Sequence, residues 1–360
     1  MMTYGKFIWK TLAITIIMLT LTASFNFLVD PLQFYRQAAF YRPSFSTEQR
    51  YQNPGLAKNF SYDTIIIGSS MTENFVPSYL NEKLGGNALK LSMSGASAYE
   101  ENLIVQVALK TGQVENILWG LDYASLKGAS DRVRNEDVPF PFYLYDQYSV
   151  NDLAYLLSIT TLESSSIDLF NNIRNRPPAN ADLERLNNWS SWFSYDRDIM
   201  LKLWREDQAK RKAGIKQYDK TDGSFPAMQL SFNTNILPLI KNNPQVNFII
   251  YYPPYSILRY RSIYEEDPAQ FFSELQVKRY IFTCLEGSDN VILYDFQSDK
   301  NLITMLSHYK DFSHHSQAFN EFIIDSIARN DVRYRVTPWN LETMLSDLKE
   351  QVETLDTAKL

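Results

Sequence analysis

A lone cysteine, Cys284, is the only thiol in the chain. It excludes an internal disulfide framework and a cysteine-built zinc site, and its apolar neighbours at 280–285 make burial its expected fate. Such sparing use suits an oxidising compartment, because a lone thiol has no internal partner to pair with wrongly. Cationic surplus is missing as well: 35 Lys and Arg stand against 41 Asp and Glu, the formal net charge is -6, and no basic stripe runs along the sequence. Phosphate binding needs clustered Lys and Arg, so nucleic acid is not an expected partner. No G-x-S-x-G elbow occurs, which sets aside the α/β-hydrolase type of secreted lipase. Internal repeats and low-complexity runs are absent too, and 45% hydrophobic with 21% charged residues is ordinary globular composition.

Charge disappears altogether from 11–29, where LAITIIMLTLTASFNFLV follows Lys6 and Lys10. At about 1.5 Å per helical residue this run crosses a hydrocarbon core of roughly 30 Å. Lysines before the span keep the N-terminus cytoplasmic and put the rest of the chain outside the inner face, periplasmic or extracellular. A cleaved signal peptide competes with an uncleaved anchor. The run is longer than an ordinary h-region, and no clear A-x-A site precedes Asp30-Pro31, which favours the anchor over 1–30.

The segment 31–60 is polar, aromatic and non-periodic, and reads as a connector without legible structure. From 61 the pattern changes. The β-branched run Thr64-Ile65-Ile66-Ile67 has the character of a parallel strand buried on both faces, and Gly68 stops it. Helix is expected at 77–84, strand at 88–93, helix at 99–110 and strand at 114–121. Short connections between them spell a doubly wound parallel sheet with helices on both faces. The rhythm breaks at about 124–223, a polar and aromatic insertion with a helix-like run at 152–162. It resumes with helix at 228–240, strand at 246–252, helix at 269–285, strand at 291–296 and helix at 316–329. A five-stranded domain at 61–330 and a C-terminal amphipathic helix within 331–360 complete the organisation.

All three histidines, His308, His314 and His315, fall in one loop just past the last expected strand. Asp311, three residues before His314, can bond that ring's Nδ1–H from a tight turn and leave Nε2 free as a base. The Gly68-Ser69-Ser70 turn supplies a hydroxyl at the carboxyl end of a strand, where open α/β sheets place their ligands. Helix capping by the serines, surface histidines, or a metal held by the three rings are the competing readings. The spacing follows no zinc pattern, and neither metal nor cofactor is expected.

Four blocks in order resemble the SGNH (GDSL-like) hydrolase superfamily. They are Gly68-Ser69-Ser70 after the first strand, Gly95 after the second, Gly120-Leu121-Asp122 after the third, and Asp311-x-x-His314 near the C-terminus. The resemblance covers about 61–330 and implies a flavodoxin-like α/β fold with Ser70 as nucleophile, His314 as base and Asp311 as its orienter. It further implies an oxyanion hole built on Ser70 and Gly95. Ser69 replaces the family's G-D-S aspartate, as in membrane-anchored proteins that esterify extracytoplasmic polymers. Asp122 replaces the usual oxyanion asparagine; an acid there either weakens the hole or serves its own turn structurally. The resemblance implies an anchored acyltransferase or esterase transferring or removing an acyl group, acetyl above all, on a cell-surface polysaccharide or teichoic-acid-like acceptor. A multi-spanning membrane O-acyltransferase is the implied partner. The alternative is a non-catalytic glycan-binding or assembly subunit that keeps the fold. Trp189 and Trp192, with Tyr195 and Trp204 nearby, and Tyr255 after the fourth strand are candidates for stacking on a sugar, core packing being the competing fate.

Overall fold

The structure, a computed structural model, describes residues 4–134, 139–178, 180–215 and 221–357. It divides into two compact units, one of 1–60 with 139–186 and one of 61–138 with 187–360. The sequence expectation of a plain connector at 31–60 and one insertion at 124–223 differs from this division, because 139–186 belongs with the N-terminal segment.

In the first unit, α1 (Tyr4–Val29) is the single helix among the described residues long and apolar enough to cross a membrane. Its end packs on the helices Leu153–Leu156 and Ile159–Ile173, where buried Asn26 donates to Leu156 O (2.9 Å) and accepts from Ser165 Oγ (3.1 Å). Asp30 then gathers the chain. Its carboxylate accepts from the N–H groups of Phe34, Tyr35 and Arg36 at 3.0, 2.8 and 3.1 Å and from Tyr155 Oη at 2.9 Å. The helix α2 (Gln49–Asn59) follows, so the stretch whose structure is not legible in the sequence is ordered by polar contacts that leave no periodic trace. The helix-like run at 152–162 breaks at Leu157 and Ser158, and Ser158 caps the longer helix beyond it.

The second unit is α/β. Its sheet is wholly parallel and five-stranded: β1 (Thr64–Gly68), β2 (Ala88–Lys90), β3 (Asn116–Gly120), β4 (Asn247–Tyr252) and β5 (Val291–Asp295). The order β2-β1-β3-β4-β5 is that of flavodoxin-like doubly wound sheets. Four of the strands form where the sequence is β-branched or aromatic, the three-residue β2 (Ala-Leu-Lys) being the exception, and Ile65, Ile66 and Ile67 are fully buried because helices cover both faces of the central strands. Right-handed crossovers send the chain to opposite faces once the strand order reverses. Accordingly α3 (Pro77–Leu84) lies against α7 (Gln317–Ala328), while α4 (Ala98–Leu109) and α6 (Pro268–Leu285) both lie against α5 (Phe225–Asn235). The expected helix at 228–240 is two helices, because Pro238 starts a second one at Leu237–Asn242.

Neighbouring strands β1 and β3 end in register at Gly68 and Gly120, at the point where the topology reverses. A Cβ on Gly120 would meet the Thr72 side chain and lie 2.7 Å from Tyr251 Oη, so only glycine lets the turn after β1 settle over the strand ends. Thr72 Oγ1 in turn lies 2.9 Å from Ser69 O and 2.6 Å from Ser92 Oγ, tying the turn after β1 to the turn after β2. Gly120→Ala is therefore expected to destabilise the fold by about 1–3 kcal/mol through overpacking, read as a lower midpoint in denaturant with unchanged slope.

Candidate functional site

Ser70 sits on the turn that leaves β1, and the loop after β5 brings His314 to it from the far side of the sequence. The loop is fixed at several points. Lys310 N donates to His314 O (3.1 Å), Ser316 N donates to His308 O (2.8 Å), and Ser256, just past β4, donates to Phe312 O through both its N–H (3.1 Å) and its hydroxyl (2.8 Å).

The result is a linear relay. His314 Nε2 lies 2.8 Å from Ser70 Oγ, and His314 Nδ1 lies 2.9 and 2.8 Å from the two oxygens of Asp311. An ionised carboxylate only accepts, so Nδ1 carries the proton and Nε2 is left to accept from the serine. Asp311 Oδ1 also accepts from the N–H groups of Ser313 (2.9 Å) and His314 (2.8 Å). Burial works to raise the Asp311 carboxyl, but the hydrogen bonds from the His314 ring and from the N–H groups of His314 and Ser313 outweigh it and hold the group at about 2. Asp311 consequently stays ionised across the ordinary pH range.

The other two histidines do not join. His308 Nδ1 lies 2.9 Å from Ser316 Oγ with its ring stacked on Phe319, and buried His315 places Nε2 2.9 Å from Asn320 Oδ1. One nitrogen of each is taken by Ser316 or Asn320, and no group of three or more His, Cys, Asp or Glu suited to a metal occurs among the described residues.

Ser69 and Asp122 form a second pair. The Ser69 hydroxyl donates to Asp122 Oδ2, whose other oxygen accepts from Ser125 N (2.9 Å) at the start of the short helix Tyr123–Leu126. Asp122 is buried and both its oxygens are used, so in place of the oxyanion role weighed from sequence it braces the turns after β1 and β3. Gly95 takes φ +60°, a left-handed conformation that favours glycine, in the turn after β2. Among the described residues, neither the Gly95 N–H nor the Ser70 N–H donates to a protein acceptor.

Ser70, Gly95, Trp189, Trp192 and His314 line one cavity of about 590 Å³. Trp189 is buried, donates from Nε1 to Glu73 Oε2 (2.7 Å), and sets its ring edge-on to the His314 imidazole at 5.3 Å. Trp192 is 72% exposed at the rim. Tyr255 does not belong here: it is 3% exposed, with the Arg259 guanidinium 4.1 Å over its ring and Tyr123 and Tyr260 beside it. Trp204 is likewise buried, against Phe312 and Arg211. Neither is a stacking surface: Tyr255, next to a loop, carries no mark in the sequence of which way it faces, and Trp204 lies on the buried face of the helix Arg197–Lys212 together with Met200.

Glu73, Arg134 and Lys310 also line the cavity, and no motif announced them. Lys310 and Glu73 lie one and three residues from the Asp311 and Ser70 positions, which was the available hint. Arg134 had none. Lys310 Nζ lies 4.2 Å over Trp189, 3.9 Å over Phe193 and 3.7 Å from Asp311 Oδ2.

The chain matches no protein-family model, and no curated protein matches it at a significant level.

The buried His315 makes the fold sensitive to acid. Burial pushes its imidazole down to about 4 from 6.5, so on acidification the unfolded state binds this proton first. Stability is therefore complete above about 6.5 and is lost progressively as pH falls from there to about 4, by about 3 kcal/mol for this group. Thermal melts should show Tm falling across that window, and His315→Gln should remove much of the pH dependence; an unchanged profile in the variant would refute the assignment.

Proposed function

We propose that this protein is a serine acyltransferase or esterase of the SGNH type, anchored by α1 with its catalytic unit outside the inner face of the membrane. The observation that carries this reading is the unbroken relay from Ser70 Oγ through His314 to Asp311 at 2.8 to 2.9 Å. A hydroxyl bonded to an imidazole whose other nitrogen is held by a carboxylate is the arrangement that makes serine nucleophilic at neutral pH.

In the first half-reaction Ser70 Oγ attacks the carbonyl carbon of an acyl ester while His314 Nε2 takes the hydroxyl proton. The carbonyl π electrons move onto oxygen, and the N–H groups of Ser70 and Gly95 bond the oxyanion. Collapse expels the donor alcohol, which leaves with the proton from His314 and an acyl group on Ser70. In the second half-reaction His314 deprotonates an acceptor hydroxyl, sugar or water, which attacks the acyl carbon; the bond to Ser70 Oγ breaks, the proton passes from His314 to Oγ, and an ester leaves from a sugar acceptor or a carboxylic acid from water. A sugar acceptor makes the protein a transferase and water makes it an esterase.

The substrate class we adopt is an acetylated cell-surface polysaccharide or teichoic-acid-like polymer. Exposed Trp192 beside the cavity supports it, because a saccharide ring packs on an indole face. A multi-spanning membrane O-acyltransferase is the proposed source of acyl groups.

A fluorophosphonate probe applied to the full chain in detergent, read by peptide mass, tests the reading. Modification is expected at Ser70 and nowhere else, absent in Ser70→Ala and slowed about 10²- to 10⁴-fold in His314→Ala. A chain that is never modified, or is modified independently of His314, would favour the binding-subunit alternative.

A further inference from the structure

The relay leaves one demand unmet. The charge on the tetrahedral intermediate forms next to Ser70, and the side chain at the end of β3 that could have donated to it is Asp122, an acceptor with both oxygens occupied. A carboxylate one residue from the reacting centre also opposes a second negative charge there. Two backbone N–H groups are left to hold the oxyanion.

The structure places a guanidinium against Gly95, in the cavity that Ser70 lines. A Cβ built on Gly95 would lie 3.3 Å from Arg134 Nη1, so the guanidinium covers the side of Gly95 that lacks a side chain. Both ends of this arginine are fixed to the turn that carries Gly95. Its backbone N–H donates to Glu100 Oε1 (2.9 Å), its Nη1 donates to Ser94 O (2.9 Å), and Glu100 is itself locked into the capping box of α4 by Ser97. Arg134 lines the same cavity as Ser70 and His314. The other cation of that cavity, Lys310, is spoken for on the opposite flank, caged by Trp189 and Phe193 and near Asp311.

We propose that Arg134 is a catalytic residue that supplies the oxyanion hole with the side-chain donor that Asp122 cannot provide. A planar, permanently charged fork pinned before the reaction starts needs no reorganisation as the charge develops, which is where such a donor acts most strongly. The inference rests on the acyl-transfer reading given above.

Steady-state turnover of a neutral activated acetyl ester by the full chain in detergent tests it. Arg134→Ala should lower kcat about 10²- to 10³-fold with KM changed less than about threefold, because the contact is made in the transition state. Guanidinium chloride added at millimolar concentration should restore part of the lost rate, which a folding defect would not allow. Arg134→Lys, keeping the charge without the fork, should fall between. Unchanged kcat, or a raised KM at unchanged kcat, would overturn the role of Arg134 while leaving Ser70 acylation intact. No turnover by the unaltered chain would instead overturn the acyl-transfer reading, and this inference with it.

Discussion

The hydrogen bond between Ser70 Oγ and His314 Nε2 joins residues 244 positions apart in the chain. Closing that contact sets requirements on nearly every part of the second unit. The strand before Ser70 must end sharply, the neighbouring strand must leave room, and the loop after β5 must be rigid enough to hold an imidazole within hydrogen-bonding distance. Gly68 and Gly120 answer the first two requirements by pairing at the ends of β1 and β3 where Thr72 crowds in. The third is met by bonds within the loop between His308 and Ser316 and by Ser256, which clamps Phe312 from the end of β4.

The acids around the site are sorted by what surrounds them. Asp311 is held ionised by His314 and two backbone N–H groups, against the opposing pull of burial. Glu101, fully buried on α4, is pushed well upward by burial and by the Asp122 carboxyl, and accepts from Trp119 Nε1 (2.8 Å) of β3. Asp122 has its hydrogen bonds from Ser69 and Ser125. Three carboxyl groups thus sit in three settings: one bonded to the His314 ring, one buried against Trp119, and one bracing two turns. The cationic counterpart to this acidic setting is Arg134, fixed on the α4 turn.

Much of this was legible in the sequence because apolar runs and clustered histidines are signals that survive without coordinates. The five strands appear within a few residues of their expected places, four of them on β-branched or aromatic runs and β2 on Ala-Leu-Lys. Gly68-Ser69-Ser70 and Asp311-x-x-His314 could be paired because the sheet's connectivity brings strand ends together. What was illegible depends on polar contacts between distant segments. Asp30 organises the first unit through three backbone N–H groups and Tyr155, and no periodicity records that. Tyr255 follows a strand end yet faces inward, Trp204 sits on the buried face of its helix while Trp192 is exposed, and Arg134 carries no motif at all.

The most direct measurement is rapid-quench mass spectrometry of the full chain mixed with a neutral activated acetyl ester. The account predicts an acetyl group on the Ser70 hydroxyl that forms before steady state and decays on addition of an acceptor polysaccharide. An acetyl group found on Ser69, or no covalent adduct while the ester is turned over, would contradict it.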